Sequence, residues 1–160
     1  MKGIRGVLAQ RNLREVQGIV EKALIEYVDE RSEDPAMKYA KDILLAGGKR
    51  FRPVLGCLAY EAAGATLDDK MLRTALSAEI IHTATLVHDD IYDQAKLRRG
   101  RPTLHSQHGI AHGIISGDYL FTLGYWLGAE QGPEVIKVLA ETCIGPVSYT
   151  HLRAHETRGN

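Results

Sequence analysis

The segment TLDDKMLRTALSAEIIHTATLVHDDIYD, residues 66–93, is apolar on nearly every side when it is drawn as a helix. A helix of this kind is typically buried among other helices. At 1.5 Å per residue it spans roughly 40 Å. We predict that Thr66 and Asp69 cap its start and that it lies in the middle of a helical bundle. Its apolar positions are Met71, Leu72, Ala75, Leu76, Ala78, Ile80, Ile81, Ala84, Leu86 and Val87.

Amphipathic helices flank this central segment on both sides. Apolar residues recur at steps of three and four, the spacing of one helix face, and no useful length of chain alternates as a strand does. The predicted fold class is therefore all-α. The flanking elements are a helix from Leu13 capped by Asn12 and Glu15, a helix opened by Asp34 and Pro35 and ended by Gly47 and Gly48, a helix over 51–63, a polar loop over 94–107, a helix over about 110–127, and a helix opened by Pro133.

The composition excludes several classes of protein. Twenty Lys+Arg balance twenty Asp+Glu, so the net charge is zero and a general nucleic-acid binder is not expected. Two cysteines are too few for a disulfide scaffold and fit a reducing compartment. No apolar run reaches the roughly 18–20 residues of a membrane span, and the N terminus lacks the apolar core of a secretory signal. We expect a cytoplasmic protein without a transmembrane segment.

The chain divides into a domain and a short tail. Its 160 residues suffice for one domain, which we assign to residues 1–146. Residues 147–160, VSYTHLRAHETRGN, have no sustained apolar periodicity. They are either a frayed C terminus or a non-native tail that resembles read-through of a sequencing adaptor, and we favour the second interpretation.

An acidic cluster, HDDIYD at 88–93, ends the central helix. Asp89 and Asp93 are four residues apart, so their carboxylates share one helix face. Such a pair suits Mg²⁺ when phosphate oxygens supply further ligands. Asp90 points about a quarter-turn away and is predicted to support the pair. The alternative, a solvated acidic helix end, is less favourable because carboxylates at a helix C terminus oppose the helix dipole.

Two cationic clusters accompany the carboxylates. RRGRP at 98–102 supplies Arg98 and Arg99, whose planar guanidinium groups can bind phosphate oxygens in pairs. GGKRFRP at 47–53 supplies Lys49 and Arg52 beside a predicted helix N terminus, where free N–H groups favour anions. An isolated arginine run is usually a solvated loop. Beside a carboxylate pair, these cations instead indicate a clamp for a diphosphate.

Several other polar residues have simpler interpretations. His82 precedes Asp89 by seven residues, on nearly the same face, and is either a binding residue or a satisfied core histidine. The spacing of His105, His108 and His112 could suggest a transition-metal site, but no cysteine or carboxylate joins them, and we do not favour one. Asp118, in the sequence Gly-Asp-Tyr at 117–119, is predicted to bond a neighbouring helix.

Taken in order, GGKRFRP at 47–53, SAEIIHTATLVHDDIYDQAKLRRGRPT at 77–103 and GDYL at 117–120 resemble the trans-isoprenyl (polyprenyl) diphosphate synthases, above all the bacterial heptaprenyl and octaprenyl enzymes. The resemblance extends over about residues 10–142. It implies an all-α bundle around a central substrate cavity, usually dimeric. It also implies a Mg²⁺-dependent prenyltransferase that condenses isopentenyl diphosphate with an allylic prenyl diphosphate.

The resemblance also implies a role for each matching residue. Asp89 and Asp93 match the metal ligands, with Asp90 between them. Arg98 matches the arginine that holds the allylic diphosphate, and with the two metal ligands it forms the implied catalytic set. The residues that match the isopentenyl diphosphate site are Lys49, Arg52, His82 and Arg99.

Product length is implied by the residues that precede the first aspartate. Family members often close the elongation tunnel with aromatic residues at the positions four and five before it. Here those positions hold Thr85 and Ala84, which are small, with Ile81 one turn further back. We therefore expect a medium to long product.

The chain departs from the family in one respect. The second aspartate-rich motif of the family does not occur in these 160 residues. The sequence thus resembles the N-terminal half of a synthase, and we expect the chain alone to be inactive. The alternative is a non-catalytic partner subunit of a heteromeric synthase. An enzyme that joins two prenyl diphosphates head to head is disfavoured by the GGKRFRP cluster.

Overall fold

The computed structural model describes residues 12–146, with side chains through residue 144. This part of the chain contains seven α-helices and one hairpin of two strands, each two residues long, which confirms the predicted all-α class. The interpretation of 147–160 as a tail concerns residues outside the described part and stays a prediction. The elements are α1 (Leu13–Asp29), α2 (Met37–Leu44), α3 (Phe51–Ala62), α4 (Asp69–Tyr92), β1 (Leu97–Arg98), β2 (Arg101–Pro102), α5 (Leu104–His108), α6 (Ile110–Ala129) and α7 (Pro133–Pro146).

One predicted helix cap is confirmed and another is wrong. Before α1, the Asn12 side chain accepts a hydrogen bond from the Glu15 N–H at 3.0 Å, and the Glu15 carboxylate accepts from the Asn12 N–H at 2.9 Å. Before α4 the cap is Asp68 instead of Thr66, with Asp68 Oδ1 accepting from the Met71 N–H at 2.8 Å. The carboxylate of Asp68 satisfies a free N–H group and also complements the positive end of the helix dipole.

Helix α4 is the centre of the bundle, as the sequence predicted. It contacts α1, α2, α3, α5 and α6, and its most extensive contact is with the antiparallel helix α6. The two backbones approach closely because glycines of α6 face α4. A Cβ atom at Gly124 would lie 2.6 Å from Ile81 Cγ1 and 3.2 Å from the Ser77 carbonyl oxygen. The Ser77 hydroxyl donates a hydrogen bond to the Gly124 carbonyl at 2.9 Å.

Polar contacts along α6 join it to neighbouring elements. His88 Nε2 of α4 lies 3.3 Å from the Ile114 carbonyl oxygen and 3.6 Å from Asp118 Oδ1, which is longer than a hydrogen bond. The predicted bond from Asp118 to a neighbouring helix stays a prediction. The Tyr119 hydroxyl donates to Asp34 Oδ2 at 2.9 Å, which ties α6 to the start of α2. None of the helices in residues 12–146 has the length and hydropathy needed to cross a membrane.

The polar loop predicted over 94–107 contains a small hairpin followed by α5. β1 pairs antiparallel with β2, and the turn residues Arg99 and Gly100 have φ values of 52° and 77°. Positive φ at both central residues is the requirement of a type I′ turn. The Thr103 N–H donates to the Lys96 carbonyl at 3.0 Å, and the Thr103 hydroxyl donates to the Ala95 carbonyl at 2.7 Å. The hairpin is therefore attached to the C-terminal end of α4.

We predict that Gly124→Ala lowers the free energy of unfolding by about 1–3 kcal/mol, because the added methyl group must push α4 and α6 apart. Gly18→Ala is the matched control. Gly18 lies inside α1 with no atom within 4 Å of a Cβ placed there, so alanine should raise the stability by about 0.5–1 kcal/mol. Urea denaturation followed by circular dichroism measures both changes. Equal midpoints for Gly124→Ala and the unsubstituted chain would contradict the close contact.

Candidate active site

The loop between α2 and α3 is anchored by a buried arginine. The Arg50 side chain is 2% exposed, and its Nε donates to Glu21 Oε2 of α1 at 2.8 Å. Its Nη1 donates to Glu79 Oε1 of α4 at 3.1 Å, and its Nη2 donates to the Leu44 carbonyl at the end of α2 at 2.6 Å. One guanidinium group thus connects this loop to three helices. The sequence analysis did not single out Arg50, although Glu79 in the apolar α4 segment signals a buried charge that needs a partner.

The residues on either side of Arg50 remain accessible. Arg50 has φ 47° and ψ 37°, a left-handed conformation that reverses the chain so that α3 begins at Phe51. Lys49 and Arg52 are exposed, at the N-terminal end of α3. Arg52 Nη1 lies 3.0 Å from His82 Nε2 on α4. The structure therefore brings residues 47–52, the segment from the two glycines to the first turn of α3 that we call the glycine loop, against the face of α4 that carries His82.

The contact with Arg52 defines the tautomer of His82. A guanidinium group can only donate, so His82 Nε2 accepts and the ring proton resides on Nδ1. Nδ1 lies 3.5 Å from the Thr85 hydroxyl oxygen, and that hydroxyl donates to the His82 carbonyl at 2.7 Å. Burial lowers the pKa of His82, and the positive charge of Arg52 lowers it further. Both effects favour the neutral form of the His82 ring.

Arg99 closes the hairpin onto the same loop. Its guanidinium group donates to the Gly47 carbonyl. The absence of a side chain at Gly48 permits this approach, because a Cβ atom there would lie 2.6 Å from Arg99 Nη1. The glycine loop that carries Lys49 and Arg52 is thus in contact with both the hairpin tip and α4.

The carboxylates at the end of α4 divide into two environments. Asp90 is buried, and both of its oxygens accept from Arg98 Nε, at 2.8 and 2.9 Å. Asp89 is half-buried and Asp93 is exposed at the helix end, one turn further on, where its N–H donates to the Asp89 carbonyl at 2.8 Å. Asp90 and Arg98 therefore neutralise each other beside the Asp89–Asp93 pair.

The donor set fits a magnesium ion better than a metal held by protein alone. Within residues 12–144, no three or more His, Cys, Asp or Glu side chains are grouped closely enough to hold a metal ion. Asp89 and Asp93 offer hard oxygen donors from one helical turn. Mg²⁺ favours such a small set because it keeps several water ligands and completes its shell with phosphate oxygens.

A cleft of about 410 Å³ opens beside Asp90, between α2, α4, α5 and the hairpin. Asp89, Asp93, Lys49 and Arg52 are not among its lining residues. Three of the predicted binding residues line it together with Asp90, namely His82, Arg98 and Arg99. Its apolar lining includes Ile43, Leu86 and Val87. The cleft therefore combines cationic groups at its edge with an apolar surface.

The residues predicted to control product length lie elsewhere on α4. Ala84 is fully buried in the core, and Ile81 is buried against Gly124. Thr85 is half-buried beside His82. None of the three is among the residues that line the described cleft. Their assignment stays a prediction.

The histidines of the α5–α6 region form an aromatic cluster. The ring of Tyr39 on α2 has its centroid 5.1 Å from that of His108 and 5.0 Å from that of His112. His105 lies on the other side of α5, where its Cβ is close to Gly113. The three histidines therefore do not face one another as a single ligand set.

Comparison with known proteins identifies the family. The family model described as polyprenyl synthetase matches residues 34–152. The chain is 34% identical over 130 residues to a short chain isoprenyl diphosphate synthase of Methanocaldococcus jannaschii, covering 78% of this chain and 39% of that protein. It is 42% identical over 111 residues to heptaprenyl diphosphate synthase component 2 of Geobacillus stearothermophilus, covering 69% and 34%.

A solved structure shares the fold. The crystal structure of a geranyltranstransferase from Thermotoga maritima superposes with a TM-score of 0.74 at 29% identity, covering 82% of this chain and 51% of that one. The chain spans well under half the length of the two curated relatives. The family match covers most of the chain and includes every motif described above. The chain belongs to the polyprenyl synthetase family.

Proposed function

We propose that the protein is a prenyltransferase that condenses isopentenyl diphosphate with an allylic prenyl diphosphate to give a longer trans-polyprenyl diphosphate. One observation carries the proposal: two cationic loops meet at the face of α4 that ends in Asp89 and Asp93. Arg52 of one loop contacts His82, and Arg99 of the other contacts Gly47. Clustered guanidinium groups beside paired carboxylates suit diphosphate substrates that bind with a divalent cation.

Each group has a distinct role in this proposal. Lys49, Arg52 and Arg99 bind the diphosphate of isopentenyl diphosphate, with the neutral His82 beside them. Arg98 is oriented by Asp90 through its Nε, so its two Nη groups are the ones that bind the allylic diphosphate. Binding both substrates at one end of the cleft brings their reacting carbons together, which lowers the entropic part of the barrier.

Asp89 and Asp93 would hold Mg²⁺. The bound ion would neutralise negative charge on the departing diphosphate. The allylic carbon–oxygen bond breaks and releases diphosphate. The alkene of isopentenyl diphosphate forms the new carbon–carbon bond, and a proton is lost to restore a double bond. The apolar wall of the cleft excludes water from the cationic carbon.

The product and the assembly are also part of the proposal. The small residues Ala84 and Thr85 favour a medium to long product, and a homodimer is the expected assembly. The relative from Geobacillus stearothermophilus is named a component, which supports a heteromer as the alternative. The presence of Asp89, Asp93 and Arg98 favours a catalytic subunit over a non-catalytic one, because a purely structural partner has no need of these groups.

Incorporation of radiolabelled isopentenyl diphosphate tests the proposal. The product of the complete reading frame that carries these residues is incubated with an allylic diphosphate and Mg²⁺, and the lipid-soluble products are separated by chromatography. In parallel, calorimetry measures Mg²⁺-dependent binding of inorganic pyrophosphate to the 160-residue chain. We expect elongated products in the first experiment and binding in the second. No incorporation together with no binding would refute the proposal.

Substitution of the carboxylates separates their roles. Asp89→Asn and Asp93→Asn should each weaken Mg²⁺-dependent pyrophosphate binding by about 10²-fold, because each removes a charged metal ligand from the same helix face. Asp90→Asn should have a smaller effect, exerted through Arg98. Asp29→Asn is the control, since Asp29 pairs with Lys41 on the other side of the α1–α2 turn. Equal losses for all three aspartates at the end of α4 would contradict the assignment.

Arg99 offers a substitution that spares the fold. Asn-Gly is a preferred pair for a type I′ turn, so Arg99→Asn should keep the hairpin and leave the free energy of unfolding within about 1 kcal/mol of the original. Losing a charged hydrogen-bond donor should weaken pyrophosphate binding by about tenfold or more. Lys22→Gln on α1 controls for net charge. Calorimetry and urea denaturation measure the two effects, and unchanged affinity would exclude Arg99 from the site.

The titration of His82 tests its environment. We expect a midpoint below 6.5 in an NMR titration, since burial and Arg52 both disfavour the charged ring. The unfolded chain then takes up this proton more readily, so the stability contributed by neutral His82 is lost as the pH falls below about 6.5. Arg52→Gln should raise the midpoint, whereas Arg73→Gln should not. A midpoint at or above 6.5 would contradict the described geometry.

A further inference from the structure

We propose that Arg50 is a positioning residue, whose buried guanidinium group holds the glycine loop so that Lys49 and Arg52 face the diphosphate site. The inference rests on the proposed function. Arg50 belongs to the lining of the cleft, but its side chain is 2% exposed and each of its guanidinium nitrogens is bonded to Glu21, Glu79 or the Leu44 carbonyl. We infer that it acts on a substrate through Lys49 and Arg52, which are exposed.

The three contacts connect the loop to three separate helices. Glu21 belongs to α1, Leu44 ends α2 and Glu79 lies in the central helix α4. A rigid planar group bonded to three separate elements leaves the attached backbone little freedom to shift. The Val54 N–H also donates to the Arg50 carbonyl at 3.0 Å, so the same residue begins α3. The position of Arg52, two residues later, follows from this anchor.

The electrostatics indicate that the anchor is needed. Glu79 is buried, with its side chain 9% exposed, and such a carboxylate is strongly unfavourable without a cation beside it. The backbone of Arg50 also adopts a left-handed conformation, which residues other than glycine seldom occupy. The backbone is held there because the side-chain bonds compensate for this cost. A glycine would suit the backbone better, so the side chain is what the position requires.

Arg50 and the diphosphate residues are linked by one further contact. Arg52 Nη1 reaches His82 Nε2 at 3.0 Å only while the loop keeps its place against α4. Glu79 and His82 are one turn apart on α4, so Arg50 and Arg52 contact the same short stretch of this helix. Loss of the Arg50 anchor should therefore release Arg52 from His82.

A mutant cycle on the 160-residue chain tests this link without any activity assay. The His82 pKa is measured by NMR for the original chain and for Arg52→Gln, and again for both in an Arg50→Lys background. Lysine keeps the positive charge beside Glu79, but its compact ammonium group cannot reproduce the three contacts. The charged groups that act on His82 are Arg52, Glu79, Arg99 and Arg98, and only Arg52 is changed within each pair.

We expect Arg52→Gln to raise the His82 pKa in the original chain and to have at most half that effect in the Arg50→Lys background. An equal rise in both backgrounds would overturn the proposal, because Arg52 would then be in place without the anchor. Glu79→Gln keeps an acceptor oxygen but weakens one contact to Arg50. In a Glu79→Gln background, Arg52→Gln should therefore raise the His82 pKa by less than it does in the original chain. This variant replaces Arg50→Lys should the latter fail to fold.

Calorimetry with inorganic pyrophosphate and Mg²⁺ supplies the second readout. At a temperature where every variant is folded, Arg50→Lys should weaken binding by about tenfold, because a displaced binding group loses much of its affinity. Arg73→Met, which removes a partly exposed arginine of α4, is the control. Unchanged affinity in Arg50→Lys would mean that Arg50 contributes to stability and does not position the binding residues. Absence of pyrophosphate binding by the original chain, together with no incorporation by the complete reading frame, would refute the proposed function, and the His82 cycle would still decide the role of Arg50.

Discussion

The buried ion pairs of Arg50 are the constraint on which the arrangement of the N-terminal helices depends. The guanidinium group lies where α1, α2 and α4 meet, and it is bonded to each of them. Two carboxylates share one cation, so the cluster keeps a residual negative charge close to the cleft. Such a charge attracts cations, and Arg98 and Arg99 line the same cleft as Arg50 and Glu79. The same interaction therefore shapes the bundle and the electrostatics of the site.

The parts of the structure that the sequence predicted are those that repeat or lie close together in the chain. The central position of α4 follows from its apolar residues, and the common face of His82 and Asp89 follows from the helical period. The cap formed by Asn12 and Glu15 depends on residues three apart. In each case the interacting residues lie within two turns of helix. Local spacing carries such information directly.

The parts that escaped prediction depend on distant or very short elements. Arg50 and Glu79 are 29 residues apart, and no local pattern connects them. Strands of two residues are too short to alternate, so the hairpin that carries Arg98 and Arg99 was predicted as a loop. Helix α4 is capped by Asp68 and not by Thr66, because both residue types can cap a helix and the two stand only two positions apart.

The contact between α4 and α6 through Gly124 has a consequence for motion. Side chains that interdigitate can change rotamer and let two helices slide, but a glycine against backbone atoms has no such adjustment. The hydrogen bond from Ser77 to the Gly124 carbonyl adds a fixed point within this contact. We expect α4 and α6 to move as one body on the microsecond-to-millisecond scale of domain motions. Entry and exit of ligands then fall to the hairpin, whose contact with the Gly47 carbonyl through Arg99 can open while Arg50 holds the glycine loop in place.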